Sequence, residues 1–158
     1  MTDAAARMQV RGPSLGQSGV CETILRALPQ WFGIEEAIVQ YVRDVAQLPT
    51  FTATMDGQTV GFVTIRKHFD SAAEVYVMGV VPQAHRQGVG AALLRRAEDW
   101  LKGEGVKYLQ VKTLSESRPN AEYARTRAFY RAMGFEPLEE FKTLWSERNP
   151  CLLLVKRL

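Results

Sequence analysis

The stretch His85-Arg86-Gln87-Gly88-Val89-Gly90 joins an apolar, strand-like run, Val75 to Val81, to a helix-like run, Ala91 to Leu101. Such a junction presents backbone N–H groups that no carbonyl of the helix accepts, at the end where the helix dipole is positive, and so suits a phosphate. Glycine lets bare backbone approach phosphate oxygens and adopts dihedrals closed to other residues. The same Gly-x-Gly spelling also serves a plain strand-to-helix turn, so its surroundings decide. Two other phosphate loops are absent: there is no GxxxxGK[ST], and the dinucleotide pattern GxGxxG fails at Leu93. Those loops follow the first strand of a βαβ unit, whereas several strand-like runs precede this turn.

A second constellation lies at Tyr123 to Phe135, a helical stretch ending in Gly134 with Phe135 packing behind it. Other reactive side chains are sparse. Cys21 and Cys151 are too few for a disulfide scaffold or a metal site, no CxxC or HExxH occurs, and both read as buried thiols. His68 reads as an exposed loop residue near a hairpin end.

The elements that must position these groups follow from hydrophobic period. Met8 to Arg11 is a short strand, followed by Gly12-Pro13 and a polar turn through Ser18. Ser18 caps a helix with an apolar stripe of Ile24, Leu25 and Leu28 that ends before Pro29. Trp31-Phe32-Gly33-Ile34 separates it from a second helix carrying Ala37, Ile38, Tyr41, Val42 and Val45. The Trp-Phe pair either anchors the two helices on the core or lines a pocket. Phe51 to Met55 and Val60 to Arg66 flank an Asp56-Gly57 hairpin turn, and Glu74 to Val81 is the next strand.

The helix after the cradle puts Val89, Leu93, Ala97, Trp100 and Leu101 on one face, with Arg95, Arg96, Glu98 and Asp99 on the other, and Gly103 or Gly105 stops it. The strand at Lys107 to Thr113 returns parallel to Glu74–Val81 through a right-handed crossover, and parallel strands that diverge at their ends leave a slot. Cys151 to Val155 is a buried closing strand, preceded by Glu139-Glu140-Phe141 and Trp145 as a further strand and loop. A carboxylate there either selects a cationic ligand or is a solvated edge. The plan is mixed α/β rather than a regular βαβ alternation.

A chain of 158 residues with 46% apolar and 23% charged residues suits one domain, 1–158, with residues 1–7 as a flexible N-terminus. The formal charge is +3 and no run of five or six Lys and Arg occurs, which argues against nucleic-acid binding. With no apolar leader and no membrane-length run, a cytoplasmic enzyme is the expectation.

The cradle resembles motif A of the GNAT acetyltransferases, [Gln/Arg]-x-x-Gly-x-[Gly/Ala]: Gly88 and Gly90 match, and His85 departs from it. Tyr123 to Phe135 resembles motif B of the same superfamily, with Phe129, Tyr130, Gly134 and Phe135 at the right spacing and Tyr123 where many members have Asn. The resemblance spans about Met8 to Leu158. It implies the GNAT fold, a central mixed, mostly antiparallel twisted sheet with one splayed parallel pair, flanked by about four helices. It also implies acetyl-CoA as co-substrate. In this reading backbone at Met78, Gly79 and Val80, bulged in the family, meets the thioester carbonyl and pantetheine. His85, Arg86, Gln87, Gly88, Val89, Gly90 and Ala91 hold the pyrophosphate, and Tyr123 contributes a further cofactor contact.

The same resemblance gives Tyr130 the role of protonating the departing thiolate, and Glu74, at the family's offset on its strand, the role of base. The other reading of Glu74 is a solvated strand-end carboxylate. Trp31, Phe32 and Tyr41 border the acceptor site. The implied reaction is acetyl transfer to a primary amine by direct attack, without an acyl-enzyme and without a metal. A small-molecule amine is the first choice of acceptor, a protein N-terminus or lysine the alternative, and a CoA-binding module without catalysis the competing class. A homodimer is left open.

Overall fold

A computed structural model describes residues 7–158, so the expectation of a flexible N-terminus falls, apart from Arg7, outside the described residues. The elements run β1 (Met8–Ser14), α1 (Ser18–Arg26), α2 (Glu35–Val45), β2 (Thr50–Met55), β3 (Gln58–Phe69), β4 (Ala72–Val80), a short 3₁₀ turn (Pro82–Ala84), α3 (Val89–Gly103), β5 (Tyr108–Leu114), α4 (Ala121–Ala132), β6 (Glu136–Ser146) and β7 (Asn149–Arg157). The strands form one seven-stranded sheet in the order β1-β2-β3-β4-β5-β7-β6. β4 and β5 are parallel, from Ala72 opposite Tyr108 to Val75 opposite Val111. The β1/β2, β2/β3, β5/β7 and β6/β7 pairs are antiparallel. This is the mixed, mostly antiparallel sheet with four α-helices that the sequence implied.

Contacts divide the chain into two compact units, one ending at Ile65 and resuming over Val77–Trp100, the other comprising Arg66–Tyr76 and Leu101–Leu158. In the first, β1 extends beyond the expected Arg11 and continues through Gly12 and Pro13 to Ser14, with a register shift against β2 after Arg11. Pro13 is tolerated because β1 is an edge strand, where a missing N–H costs no ladder bond. Arg7 and the hairpin-turn residue Asp56 exchange hydrogen bonds: Arg7 N–H donates to Asp56 Oδ1 and Asp56 N–H to the Arg7 carbonyl, each at 3.1 Å. Ser18 does not cap α1; Gln17 holds that position, and the Ser18 hydroxyl donates to the Val42 carbonyl of α2 at 2.6 Å. The hydroxyl thus ties the two helices together.

Along α3, Val89, Leu93, Ala97 and Leu101 are buried as expected, but so is Glu98, which is only 5% exposed. Leu94, one turn before Glu98, is also buried, so the covered stripe is wider than the sequence reading allowed.

In the second unit β7 pairs with β5 from Tyr108 opposite Arg157 to Leu114 opposite Cys151, and the exposed β6 runs along its other side. α4 is capped by Asn120, whose side-chain oxygen accepts the Tyr123 N–H at 3.0 Å. It ends in a Schellman motif: Phe135 N–H donates to the Tyr130 carbonyl and Gly134 N–H to the Arg131 carbonyl, each at 3.0 Å, with Gly134 at φ +95°. α3 ends in the same way, Val106 N–H on Leu101 and Gly105 N–H on Lys102 with Gly105 at φ +84°. Gly105, rather than Gly103, is therefore the stop.

Because the left-handed conformation strains any residue with a Cβ, Gly134→Ala and Gly105→Ala are each expected to destabilise the fold by about 1 kcal/mol. In a chain of this length that is a drop of about 2–4 °C in Tm, read from thermal unfolding; an unchanged Tm would show that the helix ends do not depend on glycine.

Candidate active site

The cradle is built where β4 ends. Val81 N–H returns to the Val60 carbonyl at 2.8 Å, the 3₁₀ turn follows, and His85 N–H donates to the Pro82 carbonyl at 3.2 Å. Two residues then take left-handed backbone, Arg86 at φ +62° and Gly88 at φ +80°. A left-handed arginine stores about 1–2 kcal/mol, and such strain concentrates at binding turns. Ala92 N–H closes the first turn of α3 on the Gly88 carbonyl at 3.0 Å. The N–H groups of Val89, Gly90 and Ala91 therefore have no acceptor within their helix. A Cβ added at Gly88 would meet no atom within 4 Å. Open space over a glycine, beside free-facing N–H groups at the positive end of a helix of fifteen residues, fits a phosphate.

The side chains of the turn are engaged elsewhere. His85 Nε2 lies 2.6 Å from the Val80 carbonyl, which can only accept, so that nitrogen carries the proton. The same ring stands edge-on to Trp31 at 5.7 Å. Where the family motif has Gln or Arg, this chain uses the imidazole to latch the turn to the end of β4. The Gln87 amide donates to the Gln83 carbonyl at 3.0 Å, again within the turn. Trp31 thus belongs beside His85, while Phe32 and Tyr41 pair edge-on at 6.1 Å.

Met78, Gly79 and Val80 close β4. Gly79 does not have positive φ, and its glycine is explained by packing: a Cβ there would stand 3.0 Å from Ile24 Cγ2 of α1 and 3.1 Å from Cδ1 of Leu28, two residues past the end of α1. α1 lies directly on the strand backbone at this point.

In the second unit Tyr130 is 5% exposed, its ring 5.3 Å from Phe129 and 5.6 Å from Phe135. Tyr130 and Phe135 are the two residues that a Schellman motif brings into apolar contact, so helix capping itself accounts for the spacing Tyr-x-x-x-Gly-Phe. Tyr123 sits in the first turn of α4, its N–H taken by Asn120.

Glu74 is a buried residue inside β4, not a solvated strand end. Its Oε1 lies 2.8 Å from His68 Nε2 and its Oε2 accepts from Lys112 Nζ at 3.0 Å. His68, expected in a loop, is on β3. Sequence reasoning missed both partners. His68 and Glu74 flank the Asp70-Ser71 turn, a detectable cross-strand signal, but Lys112 requires the parallel register of β4 and β5, which no local pattern carries.

The same unit holds a groove of about 720 Å³ lined by Ser117, Arg118, Pro119, Glu140, Lys142, Glu147, Arg148 and Pro150. Glu140 is not a bare edge carboxylate: its Oε1 accepts from Ser117 Oγ and, at 2.7 Å, from Ser115 Oγ. These hydroxyls, Ser117 foremost, hold the carboxyl below the usual range. Arg118 donates to Asn149 Oδ1 and to the Arg148 carbonyl.

Neither thiol is prepared for attack. Burial, aided by Glu22, pushes Cys21 up to about 12, and burial pushes Cys151 up to about 11 against the opposing pull of Lys112. Among the described residues no group of three or more His, Cys, Asp or Glu could hold a metal ion, and no helix is long and apolar enough to cross a membrane.

Residues 46–137 match the family model described as the acetyltransferase (GNAT) domain. The chain is 32% identical over 112 residues to an aminoglycoside N(6')-acetyltransferase type 1 of Stenotrophomonas maltophilia, covering 66% of this chain and 69% of that protein. It is 34% identical over 83 residues to the mycothiol acetyltransferase of Beutenbergia cavernae, covering 52% of this chain but only 26% of that protein. A GNAT family acetyltransferase of Elizabethkingia anophelis, solved with acetyl-CoA bound, shares the fold at 16% identity with a TM-score of 0.73, covering 96% of this chain and 98% of that one. Sequence motifs, sheet order and family match agree: the chain belongs to the GNAT acetyltransferase family.

Proposed function

We propose that this chain transfers the acetyl group of acetyl-CoA to a primary amine by direct attack, the described residues working as one N-acetyltransferase domain. The observation that carries this reading is the turn at Arg86–Gly88, with left-handed backbone, open space over Gly88 and the N-terminus of α3 behind it. The acetyl-CoA bound in the Elizabethkingia anophelis structure supports the choice of anion. When bound, acetyl-CoA supplies the thioester.

The chain's own residues manage charge and protons. The N–H groups of Val89, Gly90 and Ala91 hold pyrophosphate, and backbone at Met78, Gly79 and Val80 meets the negative charge that grows on the carbonyl oxygen. An ammonium has no lone pair with which to attack, so Glu74 takes its proton; each carboxylate oxygen, though engaged once, keeps a second lone pair. The Tyr130 phenol gives its proton to the departing thiolate. Trp31, Phe32 and Tyr41 face the acceptor. A small-molecule amine is the acceptor this reading favours, supported by the aminoglycoside acetyltransferase at 32% identity. Mixed charge in the groove around Glu140 suits a polar acceptor.

Thiol release from acetyl-CoA, followed with an aminoglycoside, a polyamine and a peptide bearing a free N-terminus, tests the reading. Turnover is expected with at least one; tight acetyl-CoA binding without turnover on any would favour a binding module instead. Glu74→Gln and Tyr130→Phe are each expected to lower kcat by about a hundredfold while calorimetric acetyl-CoA affinity stays near wild type. Gly88→Val should do the opposite, abolishing binding in a protein that still melts cooperatively, because its Cβ fills the space over the turn and its backbone must hold positive φ.

The high thiol values of Cys21 and Cys151 mean that both remain protonated at pH 8, so the native protein should take up little iodoacetamide there and react fully once unfolded. Rapid native labelling that also stops acetyl transfer would point to an acyl-enzyme.

A further inference from the structure

The Glu74 cluster contains more than the base requires. The Glu74 side chain is 8% exposed, whereas those of His68 and Lys112, which hold its two oxygens, are 36% and 27% exposed. The register explains how they meet: Glu74 lies opposite Gln110, and Lys112, two residues along β5, shares its face and reaches back to Oε2. His68 comes from β3, on the other side of β4. From β7 the Cys151 thiol, which stays protonated, lies within electrostatic reach of both Glu74 and Lys112. Lys67 is the adjacent residue on β3, and Arg66, two residues before His68, has its guanidinium over the Tyr76 ring at 4.1 Å.

A purely structural role explains this arrangement poorly. Desolvating an ion pair costs about as much as the attraction returns, and apolar replacements of such pairs are often neutral or stabilising. A proton acceptor, by contrast, needs a fixed carboxylate, shielded from water but with donors that water can reach. Both conditions are met by a covered carboxylate between two partly exposed partners.

We propose that Lys112 and His68 are positioning residues for acetyl transfer, clamping the two Glu74 oxygens so that their remaining lone pairs face the amine. This rests on the reading of Glu74 as the base. The proton balance closes in two parts: before attack the ammonium loses one proton to Glu74, from which water accessible at the cluster removes it before the next turnover, and after attack the nitrogen loses a second, which restores the Tyr130 phenol that protonated the thiolate. Lys112 Nζ at 3.0 Å from one oxygen and His68 Nε2 at 2.8 Å from the other fix the plane of the carboxylate, so the loss of either frees it to turn away from the amine.

The test is the pH dependence of kcat and kcat/KM for the wild type, Lys112→Met, Lys112→Arg, His68→Ala, His68→Gln and Glu74→Gln, with the best-used amine of the panel above. Thermal melting and calorimetric acetyl-CoA binding report folding. Lys112→Met is expected to lower kcat severalfold with KM little changed, and Lys112→Arg, which keeps a cationic donor, to restore most of the rate. His68→Ala should lower kcat severalfold with KM little changed, and His68→Gln, which keeps a donor, should recover most of the loss.

If Glu74→Gln loses the rate and the acid limb while both Lys112 variants keep the wild-type kcat, the clamp is wrong and the base assignment stands. If Glu74→Gln itself keeps the wild-type rate and profile, the base assignment fails, and the clamp with it. Should Lys112→Met fail to fold, Lys112→Gln takes its place, and a wild-type kcat for it together with a wild-type kcat for His68→Ala would equally overturn the proposal.

Discussion

One pairing shapes the candidate site: Ala72–Val75 runs parallel to Tyr108–Val111. A parallel neighbour cannot be reached through a tight turn, so after Val80 the chain must leave the sheet, build a helix and return. The helix has to begin soon after the strand ends, which concentrates the unpaired N–H groups of α3 at the turn that follows β4. Arg86 and Gly88 take left-handed backbone to make the reversal, and His85 binds the Val80 carbonyl to hold it. The anion cradle is thus a consequence of strand direction. What the chain adds is the absence of side-chain bulk over Gly88.

The second recognition motif has an equally local cause. A helix stopped by a left-handed residue returns two backbone hydrogen bonds to its last turn and brings the residue beyond the stop against one five positions earlier. In α4 those residues are Phe135 and Tyr130, with Gly134 between them. The spacing could therefore be read from the sequence with confidence in the backbone, because glycine is the residue that meets this dihedral without strain. The same rule left Gly103 and Gly105 both open at the end of α3, since two glycines stood within reach; the left-handed backbone of Gly105 and the hydrogen bond from Val106 to Leu101 separate them.

Period and punctuation thus made most of the fold legible, including the Asp56-Gly57 hairpin, the apolar face of α3 and the parallel β5. What they could not carry was partnership across elements. A period of two says which residues of β4 and β5 share faces, but not that Lys112 comes beside Glu74; that depends on register. Ser18 has the chemistry of a helix cap, yet its hydroxyl found a carbonyl on α2 because the two helices pack there. Glu98 was assigned to solvent by residue type, and burial overrode the type because Leu94 widens the covered arc. The errors share one origin: polar side chains answer to tertiary neighbours, whereas apolar period and glycine answer to the local backbone.

Two carboxylates of one unit show how neighbours divide labour that the sequence writes identically. Glu140 is held by two serine hydroxyls, which favour its anion without offering any group that exchanges protons near neutral pH. It is a hydrogen-bond acceptor with a fixed negative charge, suited to recognising a donor in the groove. Glu74 is held by an ammonium and an imidazole, each partly open to water. The donors around each carboxylate, rather than the glutamates themselves, set the two apart: neutral hydroxyls for Glu140 on the exposed β6, nitrogen donors from the two strands that flank β4 for Glu74.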